Sequence, residues 1–257
     1  MAAVLLGGQV FIHLLRGRIH RRNLADQLIV VGPDSLFIVL VTATFIGMVF
    51  TIQVSREFIR LGASSAIGGV LALALARELA PLISAIILAG RVGSGFAAEL
   101  GTMQVTEQVD ALYMLKTDPV DYLVIPRVLA CCFMLPILAI LSFFTGMIGG
   151  LLVATELFDV SQRIFLDSAQ SFLTSWDLIS GMIKGGIFGG LIAVIGSSWG
   201  LTTTGGAKGV GQSTTTAVVT ALLAIFITNF FLSWFMFQGP ASEDFQRMFS
   251  SLLMGNG

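Results

Sequence analysis

Four charged side chains interrupt a stretch of this sequence that otherwise consists mostly of apolar and small residues. The stretch LARELAPLISAIILAGRVGSGFAAEL covers residues 75–100 and contains Arg77, Glu78, Arg91 and Glu99. Placing a charge at the centre of a bilayer costs roughly 2.5–3.5 kcal/mol on insertion scales, so such residues normally face a protein interior or a wet cavity. The charges therefore indicate either an ion-pair network that locks helices together or a functional site within the membrane.

The spacing of these charges predicts how they are arranged around one helix. At about 100° per residue, Arg91 lies about 40° from Arg77 around the axis, and Glu99 lies about 40° to the other side. These three charges are therefore expected on one face. Glu78 is turned by about 100° from Arg77, so we expect it to pair with another helix or with the neighbouring guanidinium. Pro81 removes a backbone donor one turn further on and predicts a kink.

A second pattern in the same segment predicts close helix packing. Small residues recur every four positions, at Ala85, Ala89, Gly93, Ala97 and Gly101. A seam of this kind lets a second helix approach closely. Ala89, Gly93 and Ala97 are the central candidates for this helix contact, which is a packing role and not a chemical one.

The chain as a whole is unusually apolar. Of its 257 residues, 55% are hydrophobic and 11% are charged, whereas soluble domains average about 25% charged residues. Runs of about 20 mostly apolar residues predict membrane-spanning helices. Five can be drawn: Ser35–Val54, Ala66–Gly90, Val128–Val153, Leu178–Leu201 and Thr215–Phe237. The expected fold is an all-α polytopic membrane protein with a single transmembrane domain over residues 1–257.

The N-terminal segment, residues 1–32, is predicted to be an amphipathic helix lying on the membrane surface. Its four arginines, Arg16, Arg18, Arg21 and Arg22, would face water or anionic headgroups. By the positive-inside rule, this cluster also places the N-terminus in the cytoplasm. The loop of residues 102–127 is then cytoplasmic, and an acidic loop over residues 156–177 lies outside.

The cytoplasmic loop has the sequence TMQVTEQVDALYMLKTDPVDYLVIPR, residues 102–127. Residues 106–115 alternate like a short amphipathic helix. Asp118 followed by Pro119 is typical of a helix start, with an N-cap and then proline at the first helical position. A short, partly apolar helix at this face is suited to docking another protein or to packing on its own subunit.

The sequence argues against several function classes. No G-x-x-x-x-G-K-[ST] phosphate loop is present, because GGAKGVG at residues 205–211 lacks the spacing. The energy for any transport must therefore come from an ion gradient or from another subunit. The formal net charge of −1 gives no reason to expect nucleic acid as a partner. Cys131 and Cys132 are adjacent in an apolar run and are expected to fill the core.

Several motifs between residues 35 and 155 resemble, in order and spacing, the MlaE-type (YrbE-type) permeases of ABC lipid transporters. They are RELAP at 77–81, AGRVGS at 89–94, AELGTM at 98–103, TEQVDAL at 106–112 and DP at 118–119, preceded by FIGMVFTIQ at 45–53. The resemblance implies a non-catalytic, homodimeric permease with an interfacial N-terminal helix and five spans per subunit. Each subunit would dock an ATP-binding cassette ATPase, and the dimer would sit beneath a ring of MCE-domain proteins. Such complexes move phospholipids between the inner membrane and an outer envelope membrane.

The resemblance also assigns lipid-binding residues. The family's lipid cavity lies between the subunits with the Arg-Glu pair in its wall, which corresponds to Arg77 and Glu78; apolar wall positions correspond to Phe50 and Leu61. The chemistry of a phospholipid agrees, since an arginine can hold a phosphate by charge-assisted hydrogen bonds and apolar walls accept the tails. Glu78 is expected to orient Arg77 or to keep phosphate binding from becoming too tight.

The same resemblance makes Glu107, Gln108 and Asp110 candidate contacts for the ATPase. ATP and Mg²⁺ would be held by that partner, and no cofactor or metal is expected on this chain. The expected location is the inner (cytoplasmic) membrane, with the plastid inner envelope as the alternative. The tail of residues 238–257 is longer than the family usually needs, and no role is assigned to it.

Three other interpretations remain open on the residues alone. A secondary transporter or channel also contains buried charges and a broken span, and it would act without an ATPase. An intramembrane protease would need Ser94 as its nucleophile and Lys184 as its base. However, Lys184 is expected to extend to the outer surface of the membrane that the chain spans. A membrane scaffold without transport is the third.

Asn229, in the fifth span, is expected to hydrogen-bond across helices.

Overall fold

The computed structural model describes residues 7–8 and 21–237, and in this part of the chain it contains helices joined by short turns and no strand. Five helical segments are long and apolar enough to cross a membrane: Arg22–Arg60, Ser64–Val105, Val120–Phe158, Ser175–Leu201 and Gly206–Phe237. The prediction of five spans in an all-α chain is confirmed. Residues 1–6, 9–20 and 238–257 lie outside the described residues, and with them most of the predicted surface helix, including Arg16 and Arg18, and the whole C-terminal tail.

The described residues form ten α-helices, eight in the spans and two, α6 and α8, between them: α1 Arg21–Val31, α2 Pro33–Arg60, α3 Ile67–Ala74, α4 Ala80–Leu88, α5 Ser94–Val105, α6 Gln108–Met114, α7 Ile125–Phe158, α8 Gln162–Phe172, α9 Ser175–Leu201 and α10 Gly206–Phe237. Three five-residue π-helices lie between them, at Leu75–Leu79, Ala89–Gly93 and Val120–Val124. The second span is therefore one long helix made of α3, α4 and α5 with two π turns inside it. Pro81 lies in the first turn of α4, directly after the first π turn.

The first span contains a junction between α1 and α2 at Gly32 and Pro33. Gly32 lies between α1 and α2, and Pro33 occupies the first turn of α2, where its missing N–H removes no helical hydrogen bond. The side chain of Arg91, from the second π turn, reaches this junction. It donates to the Val30 carbonyl oxygen at 3.1 Å and to the Ser35 hydroxyl at 2.7 Å. Arg91 thereby ties the second span to the junction between α1 and α2.

Two apolar clusters form the core of the described chain. The first joins α4, α5, α7 and α9, and contains Leu88, Phe96, Leu135, Phe188 and Ile192. The second joins α3, α7 and α8, and contains Ile67, Leu71, Leu75, Phe143 and Phe165. Along the second span, the second cluster ends at Ala80 and the first begins at Leu82. Arg77 and Glu78 therefore lie close to the boundary between the two clusters.

Close helix contacts in this core depend on glycine. Gly47 of α2 packs directly on the backbone of Gly146 in α7, and a Cβ at Gly47 would overlap the Gly146 carbonyl group. The first and third spans can approach so closely because both residues lack a side chain.

The connection between the third and fourth spans, predicted to be an acidic loop, contains the short helix α8. Phe165, Ser168 and Ala169 are buried, and this spacing makes one face of a helix that packs on α3. The Gly69 N–H donates to the Ser168 hydroxyl at 3.0 Å. The helix is short, and its apolar face becomes evident only where α3 covers it.

The loop of residues 102–127 follows the predicted plan of a short helix, a break and the next span. The loop helix α6 begins after Glu107, whose φ of 61° is left-handed, and ends before Lys116, whose φ is 57°. Asp118 caps the next helix, because its Oδ1 accepts the Val120 N–H at 2.9 Å. Pro119 is the first helical residue. The prediction of a helix start at Asp118 and Pro119 is confirmed.

Candidate functional site

Arg77 and Glu78 lie in the first π turn of the second span. A π turn bonds residue i to i+5 and is often found at functional sites. The two π turns change the register that a uniform helix would keep, so the angles predicted from about 100° per residue do not hold along this span. Arg77 pairs with Asp177 of α9, whereas Glu99 pairs with Arg127 of α7 at 2.8 Å. With Arg91 at the junction of α1 and α2, the three charges do not form the single face that the sequence predicts.

Arg77 is held by a buried carboxylate. Its Nε donates to Asp177 Oδ1 at 2.7 Å, and the Asp177 side chain is fully buried. The other Asp177 oxygen accepts from the N–H and the hydroxyl of Thr174, at 2.8 and 2.7 Å, in a capping box at the start of α9. A single carboxylate therefore starts α9 and fixes the guanidinium. Because the bond to Asp177 uses Nε, the guanidinium is anchored on one edge, and 38% of the Arg77 side chain stays exposed.

Glu78 accepts hydrogen bonds from two other spans. Its Oε1 accepts from Lys184 Nζ of α9 at 2.6 Å and from the Ser233 hydroxyl of α10 at 2.6 Å. Its Oε2 accepts from Asn229 Nδ2 of α10 at 2.9 Å. The expectation that Asn229 bonds across helices is confirmed. Glu78 therefore pairs with other helices and not with the neighbouring guanidinium, the second partner that the sequence allowed. The carboxylate that anchors the Arg77 guanidinium is Asp177.

Lys184 does not extend to the membrane surface, so that prediction is wrong. Its side chain is fully buried, because Glu78 and Ser233 offer acceptors inside the bundle that the sequence does not reveal. Lys184 Nζ also donates to the Arg77 carbonyl oxygen at 2.9 Å. In an α-helix, this carbonyl would accept the N–H of residue 81, but Pro81 has none. Lys184 therefore provides a donor to a carbonyl oxygen whose usual α-helical donor position is occupied by Pro81.

The four charges form a balanced group within the membrane. Two cations, Arg77 and Lys184, face two anions, Glu78 and Asp177. The Phe237 ring of α10 lies 4.5 Å from the Arg77 guanidinium carbon and 5.5 Å from Lys184 Nζ, which adds a cation–π contact. Pairing and hydrogen bonding offset much of the cost of removing such charges from water. We call these four residues the charged cluster.

A cavity of about 480 Å³ opens beside the charged cluster. Its lining residues come from the second and fifth spans: Leu73, Ala74, Arg77, Glu78, Phe230, Ser233, Trp234 and Phe237. Polar groups are confined to Arg77, Glu78 and Ser233, and the remaining wall is apolar or aromatic. Ligand pockets typically have this character, with a volume of about 300–1,000 Å³, apolar walls and a few polar groups. The two intramembrane charges thus border a void and are not sealed between helices.

The other predicted lipid-binding residues lie apart from this cavity. Phe50 is partly buried against the second apolar cluster, and Leu61 is 79% exposed after the end of α2. Neither lines the cavity. Their assignment to a lipid site stays a prediction.

The residues predicted to pack helices are buried against α9. Ala89 and Ala97 are inaccessible to solvent, and a Cβ at Gly93 would lie 3.1 Å from the Ile192 side chain. A Cβ at Gly196 would lie 2.7 Å from the Gly93 carbonyl oxygen. The second and fourth spans therefore approach each other through small residues on both sides.

The residues predicted to contact an ATPase lie at the exposed surface of the loop of residues 102–127. Glu107, Gln108 and Asp110 are all exposed. The same short helix, α6, ends in a group of exposed apolar side chains: Tyr113, Met114 and Leu115. The loop thus presents both acidic and apolar groups that the described chain does not cover.

Asp177, Ser233 and Phe237 belong to the candidate site, and sequence reasoning did not find them. Thr174 and Asp177 have the spacing of a capping box, which marks a helix start, but this signal does not indicate that Arg77 is the third partner. Ser233 and Phe237 lie one helical turn apart on α10 and resemble ordinary residues of a membrane span. Only the packing of α10 against the second span brings them to the cavity.

Comparison with known proteins gives a consistent family. The family model described as Permease MlaE matches residues 24–235. A Synechocystis protein called "Probable ABC transporter permease protein slr1045" is 64% identical, over 93% of this chain and 91% of that protein. The Arabidopsis thaliana protein "TRIGALACTOSYLDIACYLGLYCEROL 1, chloroplastic" is 54% identical, over 95% of this chain and 69% of that protein. A Rickettsia felis "Probable ABC transporter permease protein" is 40% identical, over 88% of this chain and 87% of that protein.

Proposed function

This chain belongs to the MlaE permease family, and on that basis we propose that it is the membrane subunit of an ABC transporter that moves phospholipids between two envelope membranes. The observation that carries the proposal is the cavity in which Arg77 borders apolar walls. A phospholipid has the matching chemistry, an anionic phosphate joined to apolar chains. The name of the Arabidopsis relative refers to a glycerolipid, which supports a lipid as the substrate class.

Arg77 is the residue that we propose binds the phosphate. Asp177 holds Nε, so the outer edge of the guanidinium is presented to the cavity in a fixed orientation. Arginine binds phosphate through two parallel hydrogen bonds, and a guanidinium that is already oriented loses less entropy when it does so. Leu73, Phe230 and Trp234 provide apolar surface for the acyl chains. Glu78 lies beside the phosphate site, and its negative charge keeps the bound lipid releasable.

A second copy of the chain would complete the cavity. The fifth span, α10, is the least buried of the five, with 11% of its most apolar window buried. Its exposed side chains include Phe226, Phe230 and Trp234, the last two of which line the cavity. We propose that the partner subunit covers this face and encloses the lipid between the subunits. Phe50 and Leu61 would then belong to the outer wall of the enlarged chamber.

Energy would come from a separate ATPase. The cytoplasmic loop with Glu107, Gln108 and Asp110 is the docking site that we propose, and the neighbouring Tyr113 and Met114 supply apolar contact area. An MCE-domain protein would receive or deliver lipid at the outer face. The location would be the inner membrane of a bacterium or the inner envelope of a plastid, with the N-terminus in the cytoplasm; the cyanobacterial and chloroplastic relatives support both settings.

Purification in mild detergent tests this function directly. The complex should retain an ABC ATPase and bound phospholipid, and transport of labelled phospholipid in proteoliposomes should require ATP. If the chain is isolated without an ATPase and transports a solute in response to an ion gradient alone, it is a secondary transporter or channel and the proposal is wrong.

A further inference from the structure

One buried charge lies outside the charged cluster and has no part in the proposed lipid site. Arg127, in the first turn of α7, is only 3% exposed. Its guanidinium carbon lies 5.4 Å from the centre of the Phe96 ring of α5, and Phe96 is itself buried. A buried ion pair is often no more stabilising than apolar side chains of similar volume. The contacts of Arg127 therefore matter for what an apolar residue at this position would not provide.

The two terminal nitrogens of Arg127 bind the two ends of the loop of residues 102–127. Nη2 lies 2.8 Å from Glu99 Oε1, in α5 just before the loop begins. Nη1 donates to the Leu123 carbonyl oxygen at 2.6 Å, in the π turn near the end of the loop. A lysine offers a single ammonium, whereas the planar guanidinium bonds in two fixed directions at once. One side chain thus joins the segment that enters the loop to the segment that leaves it.

The same π turn is also held from α1. Asn23 Nδ2 donates to the Tyr122 carbonyl oxygen at 3.3 Å, so the side chains of Asn23 and Arg127 bond neighbouring carbonyl groups. The helix α1 is in turn tied to the second span, because Arg91 donates to the Val30 carbonyl oxygen at 3.1 Å. Side chains therefore fix this end of the loop to α1, α5 and α7, and a displacement of it acts on all three helices.

Glu99 lies on the same continuous span as the charged cluster. The second span runs from Ser64 to Val105, and Glu78 and Glu99 lie about 30 Å apart along it at roughly 1.5 Å per residue. Rigid helices can carry energetic coupling between sites at such distances. A displacement of the loop can therefore reach the π turn that contains Glu78 through the helix itself.

The fourth span packs so closely on α5 that we expect the two helices to move together. A Cβ at Gly200 of α9 would lie 2.6 Å from the Leu100 Cβ of α5, so the contact leaves no room for a methyl group. The same helix, α9, supplies Asp177 and Lys184 to the charged cluster. Both helices that form the cluster's ion pairs are thus connected to the loop through α5.

We propose that Arg127 is a positioning residue that couples the loop of residues 102–127 to the charged cluster. When the ATPase displaces the loop, the contact between Arg127 and Glu99 transmits the displacement to α5 and so changes the geometry around Arg77. Without this contact, the loop moves independently and the cluster keeps one geometry. The inference rests on the proposed function, because it assumes that an ATPase docks on this loop.

The ratio of phospholipid transferred to ATP hydrolysed, measured in the same proteoliposomes, tests this coupling. Arg127→Met and Glu99→Ala should each lower the ratio by at least about fivefold, while recovery of the ATPase with the permease stays at the parental level. The Glu99 side chain is 55% exposed, so its replacement tests the contact even if Arg127→Met fails to fold. Arg163→Met, which breaks an exposed ion pair on α8, is the matched control and should leave the ratio unchanged.

The double variant shows whether the two residues act through one contact. If they do, Arg127→Met with Glu99→Ala should lower the ratio no further than the larger single loss. A parental ratio in Glu99→Ala, losses that multiply in the double variant, or a fall in ATPase recovery that accounts for the lost transfer would overturn the inference and leave the proposed function intact. A parental complex that transfers no lipid with ATP would overturn both.

Discussion

The ammonium group of Lys184 lies 2.6 Å from the carboxylate of Glu78, and both side chains are within spans of an apolar bundle. The two residues are 106 positions apart in the chain, so their pairing depends on the packing of the second span against the fourth. The same ammonium also donates to the Arg77 carbonyl oxygen at 2.9 Å. Lys184 therefore contacts both the backbone carbonyl of Arg77 and the side chain of Glu78, two neighbouring residues of the same π turn.

Replacing one partner of this ion pair should destabilise the protein more than replacing both partners. Lys184→Met leaves Glu78 without its cation, and breaking a buried pair costs about 3–5 kcal/mol. The loss should lie at the lower end of that range, since 36% of the Glu78 side chain is exposed. The double variant Lys184→Met with Glu78→Gln should recover part of the thermal stability measured in detergent. Additive losses would show that the two residues are not energetically coupled.

Asp177 should affect both the start of α9 and the position of Arg77. Asp177→Ala removes the capping carboxylate and the guanidinium anchor, whereas Thr174→Ala removes the capping hydroxyl and keeps the anchor. Loss of a cap costs about 1 kcal/mol. Thr174→Ala should therefore lower thermal stability slightly and preserve lipid transport, while Asp177→Ala should reduce both. Equal transport by the two variants would mean that anchoring Arg77 is unimportant.

The contact between α2 and α7 should not tolerate a methyl group. Gly47→Ala places a Cβ against the Gly146 carbonyl group, and overpacking of this kind costs about 1–3 kcal/mol. Gly211 of α10 is the control, because a Cβ there meets nothing within 4 Å. Gly211→Ala should be neutral or stabilising by up to about 1 kcal/mol. A Gly47→Ala variant as stable as the parent would show that the two helices can separate without loss.

Reversing the charge of the loop of residues 102–127 should weaken binding of the proposed ATPase. Glu107→Lys combined with Asp110→Lys changes two exposed carboxylates at the proposed docking surface, and rim charges act mainly on association rate and its salt dependence. Recovery of the ATPase on the purified permease should fall about tenfold at physiological salt. Asp167→Lys on α8, an exposed carboxylate outside the loop of residues 102–127, is the matched control and should leave recovery unchanged. Unchanged recovery in the double variant would place the docking surface elsewhere.

The sequence was informative where local chemistry decides the structure. Runs of apolar residues predicted the five spans, and Asp118 with Pro119 predicted a helix start, because capping and hydropathy depend on neighbours in the chain. The partners of Arg77 and Glu78 could not be predicted, since Asp177 and Lys184 come from a distant span. The two π turns changed the helical register, so the predicted common face of Arg77, Arg91 and Glu99 did not form.

Lys184 shows the same limit of sequence reasoning in a single residue. A lysine near the end of an apolar span normally extends to the interface, and this expectation failed because Glu78, Ser233 and the Arg77 carbonyl oxygen form a complete set of acceptors inside the bundle. The available signal was the spacing of Asp177 and Lys184 in α9, an aspartate two turns before an intramembrane lysine. It indicates a shared helix face, although it does not identify the opposing residues.

The most direct test of the lipid-binding mechanism is ATP-driven transfer of labelled phospholipid by the reconstituted complex with Arg77→Ala. A hydrogen bond to a charged group contributes about 1.5–3 kcal/mol, so the rate should fall by roughly ten- to a hundredfold, while Arg60→Ala, an exposed arginine outside the cavity, should transport at the parental rate. If Arg77→Ala inserts normally and transfers lipid as fast as the parent, Arg77 does not bind the phosphate and the account is wrong.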